Sequence, residues 1–249
     1  MTHSDTMCAR CVSDTSLPGI RFDEAGVCQY CHAHGALERL YPLGPEGEAR
    51  LARLVEDIKR AGRGKDYDCI CGVSGGRDST YTLYRAVELG LRPLAVHFDN
   101  GWDTEISVRN IKNACARLDV DLHTHVADWE EFRDLQIAFL KASVPEAEVP
   151  TDVAIHGALH EAAVREGVRY VLLGHSFRTE GIAPIEWTYM DGRYIRAVHK
   201  RFGTRPRRSV PNVTAGRYLY WTVLRRIRTV PILNFAPYRH DEVQRLLEG

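Results

Sequence analysis

The residues best placed to do chemistry are Val73-Ser74-Gly75-Gly76-Arg77-Asp78-Ser79, in which two hydroxyls flank paired glycines and a charge pair. They follow the apolar run Tyr67-Asp68-Cys69-Ile70-Cys71-Gly72 and precede the helix-like stretch Thr80 to Leu89. A strand that ends in glycines and opens a helix aims several backbone N–H groups and the positive helix end at one point, where a phosphate chain can rest. The plainer alternative is an ordinary glycine turn. A Walker A loop is excluded, because that pattern needs G-x-x-x-x-G-K-[ST] and no lysine stands at the required place. A second cluster is Cys8-x-x-Cys11 and Cys28-x-x-Cys31, with sixteen residues between the inner pair. This spacing predicts two knuckles whose four thiolates share one tetrahedral zinc ion. An iron–sulfur cluster, a redox pair, or His32 or His34 in place of a thiolate are the alternatives. A closed four-thiolate site leaves no open position for chemistry, so the zinc is read as structural.

A third feature is charge. From Arg193 to Arg228 there are eleven Lys or Arg and no Asp or Glu, with Tyr194, Phe202, Tyr218 and Trp221 interspersed. A solvated face normally mixes both signs, so this run points to an anionic partner, either RNA or the diphosphate of a nucleotide-linked sugar. A plain charged surface is the bland alternative.

The elements that must position these residues are short apolar runs alternating with amphipathic helices. Strands are expected near 67–73, 93–98, 120–125 and 169–174, with helices at 79–90, 104–117, 129–142 and 151–167. A last helix, strand and helix follow at about 215–229, 231–235 and 239–248. Such alternation predicts βαβ crossovers and an α/β fold with a doubly wound, five-stranded parallel sheet. Ahead of it, Leu51, Leu54, Val55 and Ile58 form one apolar stripe of a helix that begins at Glu46 and closes at Gly62. Tyr41-Pro42-Leu43-Gly44-Pro45 reads as a linker, which divides the chain into a ribbon lobe at 1–40 and a main domain at 41–249. In open parallel sheets ligands bind beyond the carboxyl ends of strands, where strand order reverses. The loops after the second and fourth strands, His97-Phe98-Asp99-Asn100-Gly101-Trp102-Asp103 and Leu173-Gly174-His175-Ser176-Phe177-Arg178-Thr179-Glu180-Gly181, should therefore join the glycine loop. Trp102 could cover a flat ring or simply anchor the turn, and Ser176 could cap a helix.

The 249 residues suffice for one sizeable domain and a small appendage. The 33 basic and 33 acidic side chains cancel, so net charge favours no partner. No apolar run has the length of a membrane span, and Met1 to Thr6 lacks the regions of a signal peptide, which predicts a cytoplasmic protein without a membrane partner. Seven cysteines in reducing surroundings fit metal binding better than a disulfide framework.

The Ser-Gly-Gly-x-Asp-Ser order resembles the pyrophosphatase loop (PP-loop) of enzymes that split ATP into AMP and pyrophosphate. Taken with Cys8-x-x-Cys11-Val12-x-Asp14-Thr15-Ser16, Phe22-Asp23-x-x-Gly26-Val27-Cys28-x-Tyr30-Cys31, Asp99-Asn100-Gly101-Trp102, Gly174 to Ile182, Trp187-Thr188-Tyr189 and Arg193-Tyr194-Ile195-Arg196-x-Val198-His199, the chain resembles the N-acetyl sugar amidotransferase family along nearly its whole length. Two departures stand out: Arg77 occupies a place where lysine is commoner, and family members usually continue past the equivalent of Gly249. The resemblance implies a PP-loop domain of the adenine nucleotide α-hydrolase type and an ATP- and magnesium-dependent enzyme of bacterial surface-glycan biosynthesis. Its reaction turns an acetamido sugar into an acetamidino sugar, with ammonia from a separate glutaminase and a cyclase-like subunit. No glutaminase is expected within the chain, since Thr2 follows the initiator Met1 and no nucleophile elbow is present. It further implies that Ser74, Gly75, Gly76 and Ser79 bind the phosphates, that Arg77 offsets developing charge, and that Asp78 orients the loop or a magnesium ion. Asp99, Asn100, Gly101, Trp102 and Gly174 would then lie on the ATP side. His175, Ser176, Arg178, Thr179, Glu180, Arg196, His199 and Lys200 would face the sugar, with Glu180 taking a proton from ammonia. Two other readings stay open: a tRNA-thiolating sulfur transferase of the same loop class, and a non-catalytic ATP-binding zinc protein that docks a glutaminase. Cys69, Cys71 and Cys115 bear on the first, since sulfur transfer needs reactive thiols and these read as buried ones.

Overall fold

The computed structural model describes residues 6–184 and 189–248. Its centre is a parallel sheet of five strands: β1 (Cys69–Gly72), β2 (Pro93–Asp99), β3 (Leu122–Val126), β4 (Tyr170–Leu173) and β5 (Arg228–Pro231), in the order β3-β2-β1-β4-β5. β1 pairs with β2 in the register Cys69 to Pro93 and with β4 in the register Ile70 to Val171. The first crossovers carry the chain outward through β2 to β3. It then returns to the opposite side of β1, so strand order reverses between β1 and β4. This is the expected doubly wound, PP-loop-like α/β fold.

β1 reads as a continuous apolar run because both of its faces are covered. Cys69 and Cys71 pack towards α2 (Pro45–Gly62), α3 (Arg77–Glu88) and α4 (Glu105–Leu118), through Ile58, Leu83 and Ile111. Ile70 points the other way, into a layer with Leu159, Ala163 and Trp221. That second face belongs to α6 (Val149–Arg165), which is buried around most of its circumference. A third cluster joins α5 (Trp129–Ala142) to α8 (Gly192–Phe202) through Phe132, Phe139, Ile195 and Val198. The stripe expected of α2 holds, since Leu51, Val55 and Ile58 are buried and Leu54 is packed against them.

Several boundaries differ from the sequence reading by about two residues, and three of the differences change the local structure. α3 starts at Arg77 rather than 79, because Gly76 is the residue preceding the helix and the charged pair forms its first turn. The helix expected at 215–229 is only α9 (Ala215–Leu219) followed by a π-turn at Tyr220–Leu224, and Arg226 turns the chain with φ 55°. The strand expected at 231–235 is instead β5, which ends at Pro231 where the ladder loses a donor, and Ile232–Phe235 is a 3-10 turn. α1 (Gln29–Leu40), α7 (Phe177–Glu180) and α10 (His240–Glu248) complete the elements used below. Trp187 and Thr188 lie outside the described residues. No described helix is long and apolar enough to cross a membrane.

Candidate active site

The cysteine knuckles are organised by backbone before any ion is considered. The N–H groups of Arg10 and Cys28 donate to Cys8 Sγ at 3.4 and 3.2 Å. Burial raises the Cys8 thiol, but these donors outweigh it and bring it down to about 6. Burial and the three neighbouring sulfurs push Cys31 up to about 12. The four Sγ atoms lie within 4.8 Å of one another, with Cys8–Cys31 at 3.8 Å and Cys11–Cys28 at 3.7 Å. A tetrahedral ion with Zn–S bonds of about 2.3 Å separates its thiolates by about 3.8 Å. The cluster therefore fits one zinc ion, which these four residues would hold as a closed structural site. His32 pairs with Asp23 at 2.7 Å and His34 packs edge-on against Phe177, so neither belongs to the thiolate set.

At the reversal between β1 and β4 a cleft of about 460 Å³ opens beyond the strand ends. Ser74, Asp78 and Ser79 line one side of it. Ser74 N–H donates to Ser79 Oγ at 3.1 Å and Ser79 Oγ donates to the Gly76 carbonyl at 3.1 Å, which closes the loop on itself. Gly75 has φ +74°, and a Cβ there would stand 2.3 Å from the Ser107 carbonyl oxygen. Asn110 Nδ2 donates to the Gly75 carbonyl at 3.2 Å, so α4 braces the loop from outside. Gly174 brings the β4 loop against the start of α3: a Cβ would lie 3.1 Å from Asp78 C and Ser79 N.

Asp78 is fixed by a residue that the sequence reading passed over. The Tyr238 hydroxyl donates to Asp78 Oδ1, and Arg77 Nε donates to the Tyr238 oxygen at 3.1 Å and lies 3.5 Å from Asp78. Burial and the bond to Asp78 push the Tyr238 phenol up to about 12, so it stays a donor. On the opposite wall, His97 is held between the Val73 carbonyl and Asp103, both at 3.0 Å. Glu180 accepts from His175 Nδ1 at 2.9 Å, and both line the cleft beside Gly174.

The structure does not bring all the expected residues to this cleft. Gly75, Gly76 and Arg77 line a separate hollow on the outer side of the loop, between α3, α4 and α10. Of Asp99, Asn100, Gly101 and Trp102, only Asn100 lines the cleft, beside His97, Phe98 and Asp103 of the same segment. Asp99 accepts from Gly101 N–H, and Trp102 is 60 % exposed and packs edge-on against Trp129. Ser176 is buried and caps α7, and Thr179 donates to its carbonyl. Arg178 turns away from the cleft: its Nη2 donates to the Tyr41 carbonyl at 2.6 Å and its guanidinium lies over Phe177. His199 sits 3.5 Å from Asp134 at the α5–α8 junction, while Arg196 and Lys200 are exposed on α8. The basic run is partly neutralised, with Arg205 paired to Glu130 and Arg217 to Glu161.

The wall facing the loop comes from α6, and the sequence reading named none of it. Thr151, Asp152 and His156 line the cleft from the first turns of that helix. The available signal was Asp152 and His156, four apart in the largely apolar first turns of the helix, which places both on one face.

No protein-family model and no curated protein matches the chain. Among solved structures it is similar to the U34-tRNA thiolase NcsA from Methanococcus maripaludis (13% identity over 98% of this chain and 72% of that one, TM-score 0.45). It is also similar to NH3-dependent NAD synthetase from Campylobacter jejuni (13% identity, 63% and 72% covered, TM-score 0.40). A further likeness is to NMN synthetase from Francisella tularensis (14% identity, 80% and 79% covered, TM-score 0.40). At such identities and scores none of these carries an activity over to this chain. The fold stands on its strand order and on the loop after β1.

Proposed function

We propose that this protein is an ATP-dependent amidotransferase that activates an acetamido group of a sugar by adenylation and exchanges AMP for ammonia, leaving an acetamidino sugar. The observation that carries this reading is the Ser-Gly-Gly-Arg-Asp-Ser loop at the strand-order reversal, with Ser74, Asp78 and Ser79 turned into a cleft. The sugar, and ammonia delivered by a separate glutaminase with a cyclase-like subunit, come from the family resemblance of the separated motifs.

An amide resists ammonia because its carbonyl carbon is weakly electrophilic and oxide cannot leave. Attack of the amide oxygen on the α-phosphorus of ATP breaks the bond to the β-phosphate and expels pyrophosphate. Ammonia then adds to the activated carbon, AMP leaves with the C–O electron pair, and one proton is released. The chain's part is to hold the phosphates at Ser74, Ser79 and the start of α3, and to keep water from the adenylated intermediate. Asp78, oriented by Tyr238, is the carboxylate that would hold the magnesium of bound MgATP, whose other ligands are water and phosphate oxygens. Cys69, Cys71 and Cys115 are buried in the core with their thiols pushed up by burial, and the remaining four cysteines form the ribbon set. No cysteine faces the cleft, which favours amide activation over sulfur transfer.

The test is mass spectrometry of N-acetylated sugars, free and nucleotide-linked, incubated with the chain, ATP, magnesium and ammonium. An amidine product with AMP and pyrophosphate in equal amounts is expected. Formation of neither AMP nor amidine with any acceptor, at saturating ammonium, would refute the proposal.

A further inference from the structure

The wall contributed by α6 has no role in the loop chemistry, yet it carries polar groups, one of them buried and unsatisfied. Ten of the 17 residues of α6 are buried, and Thr151, Asp152 and His156 interrupt that apolar surface at its cleft end. The Thr151 hydroxyl is buried without a hydrogen-bond partner. Among the described residues the Asp152 carboxylate and the His156 ring nitrogens likewise have no hydrogen-bond partner. Buried polar groups are normally paired, so the unpaired Thr151 hydroxyl, with the half-buried Asp152 carboxylate and His156 ring beside it on one cavity wall, marks a place where a ligand supplies the partners. Asp103 and Glu180 line the same cavity. With Asp152 they put three carboxylates on the lining outside the glycine loop, which disfavours phosphate or another anion on that side.

We propose that Thr151, Asp152 and His156 form the acceptor subsite and select an uncharged ligand that offers both hydroxyl and amide groups. The inference rests on the adenylation reading given above and specifies which end of the substrate enters. The neutral acetamido ring lies between α6 and the loop, and any diphosphate it carries lies outside the cleft. His156 is buried enough that its imidazole is pushed down to about 4, with His160 and His175 adding to the effect. It therefore meets the ligand as a neutral ring that donates through one nitrogen and accepts through the other. Asp152 is pushed up by burial, which suits a carboxylate that accepts from hydroxyls rather than pairing with a cation.

The experiment uses the full chain with magnesium and a non-hydrolysable ATP analogue. Nucleotide affinity is measured by calorimetry. Contact with the acetyl methyl of N-acetylglucosamine and N-acetylgalactosamine is measured by saturation-transfer NMR, with N-acetylglucosamine 6-phosphate as the anionic probe. Saturation of the neutral sugars and exclusion of the phosphate are expected. Thr151→Val and Asp152→Asn, both close in shape to the native residues, should each weaken sugar binding by about tenfold, the scale of one lost hydrogen bond. Nucleotide affinity should stay within about twofold, and Asp152→Asn should relax the exclusion of phosphate. Absence of sugar contact in the wild-type chain, equal binding of the phosphorylated sugar, or unchanged binding in both variants would overturn the proposal. So would loss of nucleotide binding in Asp152→Asn, because the wall would then belong to the nucleotide. If the wild-type chain bound no nucleotide, the loop reading itself would fall, and calorimetry reports that separately.

Discussion

Gly75 and Gly76 are adjacent and chemically identical, yet the structure asks different things of them, and replacing each by alanine separates fold from ligand binding. At Gly75 the backbone has φ +74°, where an L-residue costs about 1–2 kcal/mol. The new Cβ would also meet the Ser107 carbonyl oxygen at 2.3 Å and its carbon at 2.8 Å, both fixed backbone atoms in α4. Forcing such an overlap adds about 1–3 kcal/mol, so Gly75→Ala should lose about 2–5 kcal/mol of stability. For a chain of this size that lowers Tm by on the order of 10 °C. At Gly76 φ is −78°, and the nearest neighbour of a Cβ is Ser74 Oγ at 3.4 Å, an ordinary contact. The small loss from a poorer helix cap is offset by reduced freedom of the unfolded chain, so Gly76→Ala should leave Tm within about 2 °C. Differential scanning calorimetry with and without MgATP reads both effects. A Cβ at Gly76 stands beside Ser74 Oγ, the hydroxyl proposed to meet the phosphates, so loss of the ATP-dependent rise in Tm with an unchanged apo Tm is the expected result. A Gly75→Ala chain as stable as wild type would show that α4 does not brace the loop as described.

Asp78→Asn should keep the fold and lose AMP formation by about a hundredfold or more, because it removes a preoriented charge beside the phosphates. Excess ammonium, which replaces a missing glutaminase, should not rescue it, and rescue to wild-type AMP release would sink the loop assignment. The purified chain should contain one zinc per monomer, and chelation should increase hydrogen exchange in residues 6–40 while sparing β1 and β4; iron with visible absorbance would contradict this. The last prediction concerns pH. Burial holds His156 and His160 below the ordinary histidine value in the fold, so the unfolded chain takes up protons first as pH falls. Their contribution is complete above about pH 6.5 and is lost on acidification, up to about 3 kcal/mol for His156 alone by pH 4. Asp134 is costly to bury, but donors from Thr204 hold its carboxyl low, so its contribution is lost only at still lower pH. Urea titrations of wild type and His156→Gln between pH 7 and 4 should therefore diverge in slope. Parallel curves would show that His156 is not held neutral.

The alternation of strands and helices, the zinc cysteines and the glycine loop were legible because each depends on local sequence: short buried runs, paired knuckles, and glycines where the backbone turns. The π-turn at Tyr220–Leu224 was not, since Leu219, Val223 and Leu224 continue a helical pattern while being exposed. Residue type placed Arg178 in the cleft, but its partner is the carbonyl of Tyr41, a backbone atom that no side-chain pattern reveals. Tyr238 lies 160 positions from Asp78 in the chain, and Asp152 and His156 sit in a helix that reads as core. Each acts through a tertiary contact, and such contacts leave only weak traces in one sequence.

Arg178 ties the four-cysteine lobe to the cleft. The guanidinium that reaches the Tyr41 carbonyl belongs to the short helix carrying Glu180, and Phe177 beside it packs against His34 and Tyr41. The far rim of the cleft is thus pinned to the end of the four-cysteine lobe by the Arg178 guanidinium, which also lies 3.7 Å from Glu38, and by the Phe177 ring. A lobe loosened at its cysteines would free that pin, and a truncation beginning near residue 41 would remove His34, against which Phe177 rests. The lobe works as a mechanical abutment: the rim is only as well placed as the four thiolates, about thirty residues' worth of chain with almost no core of its own, allow it to be.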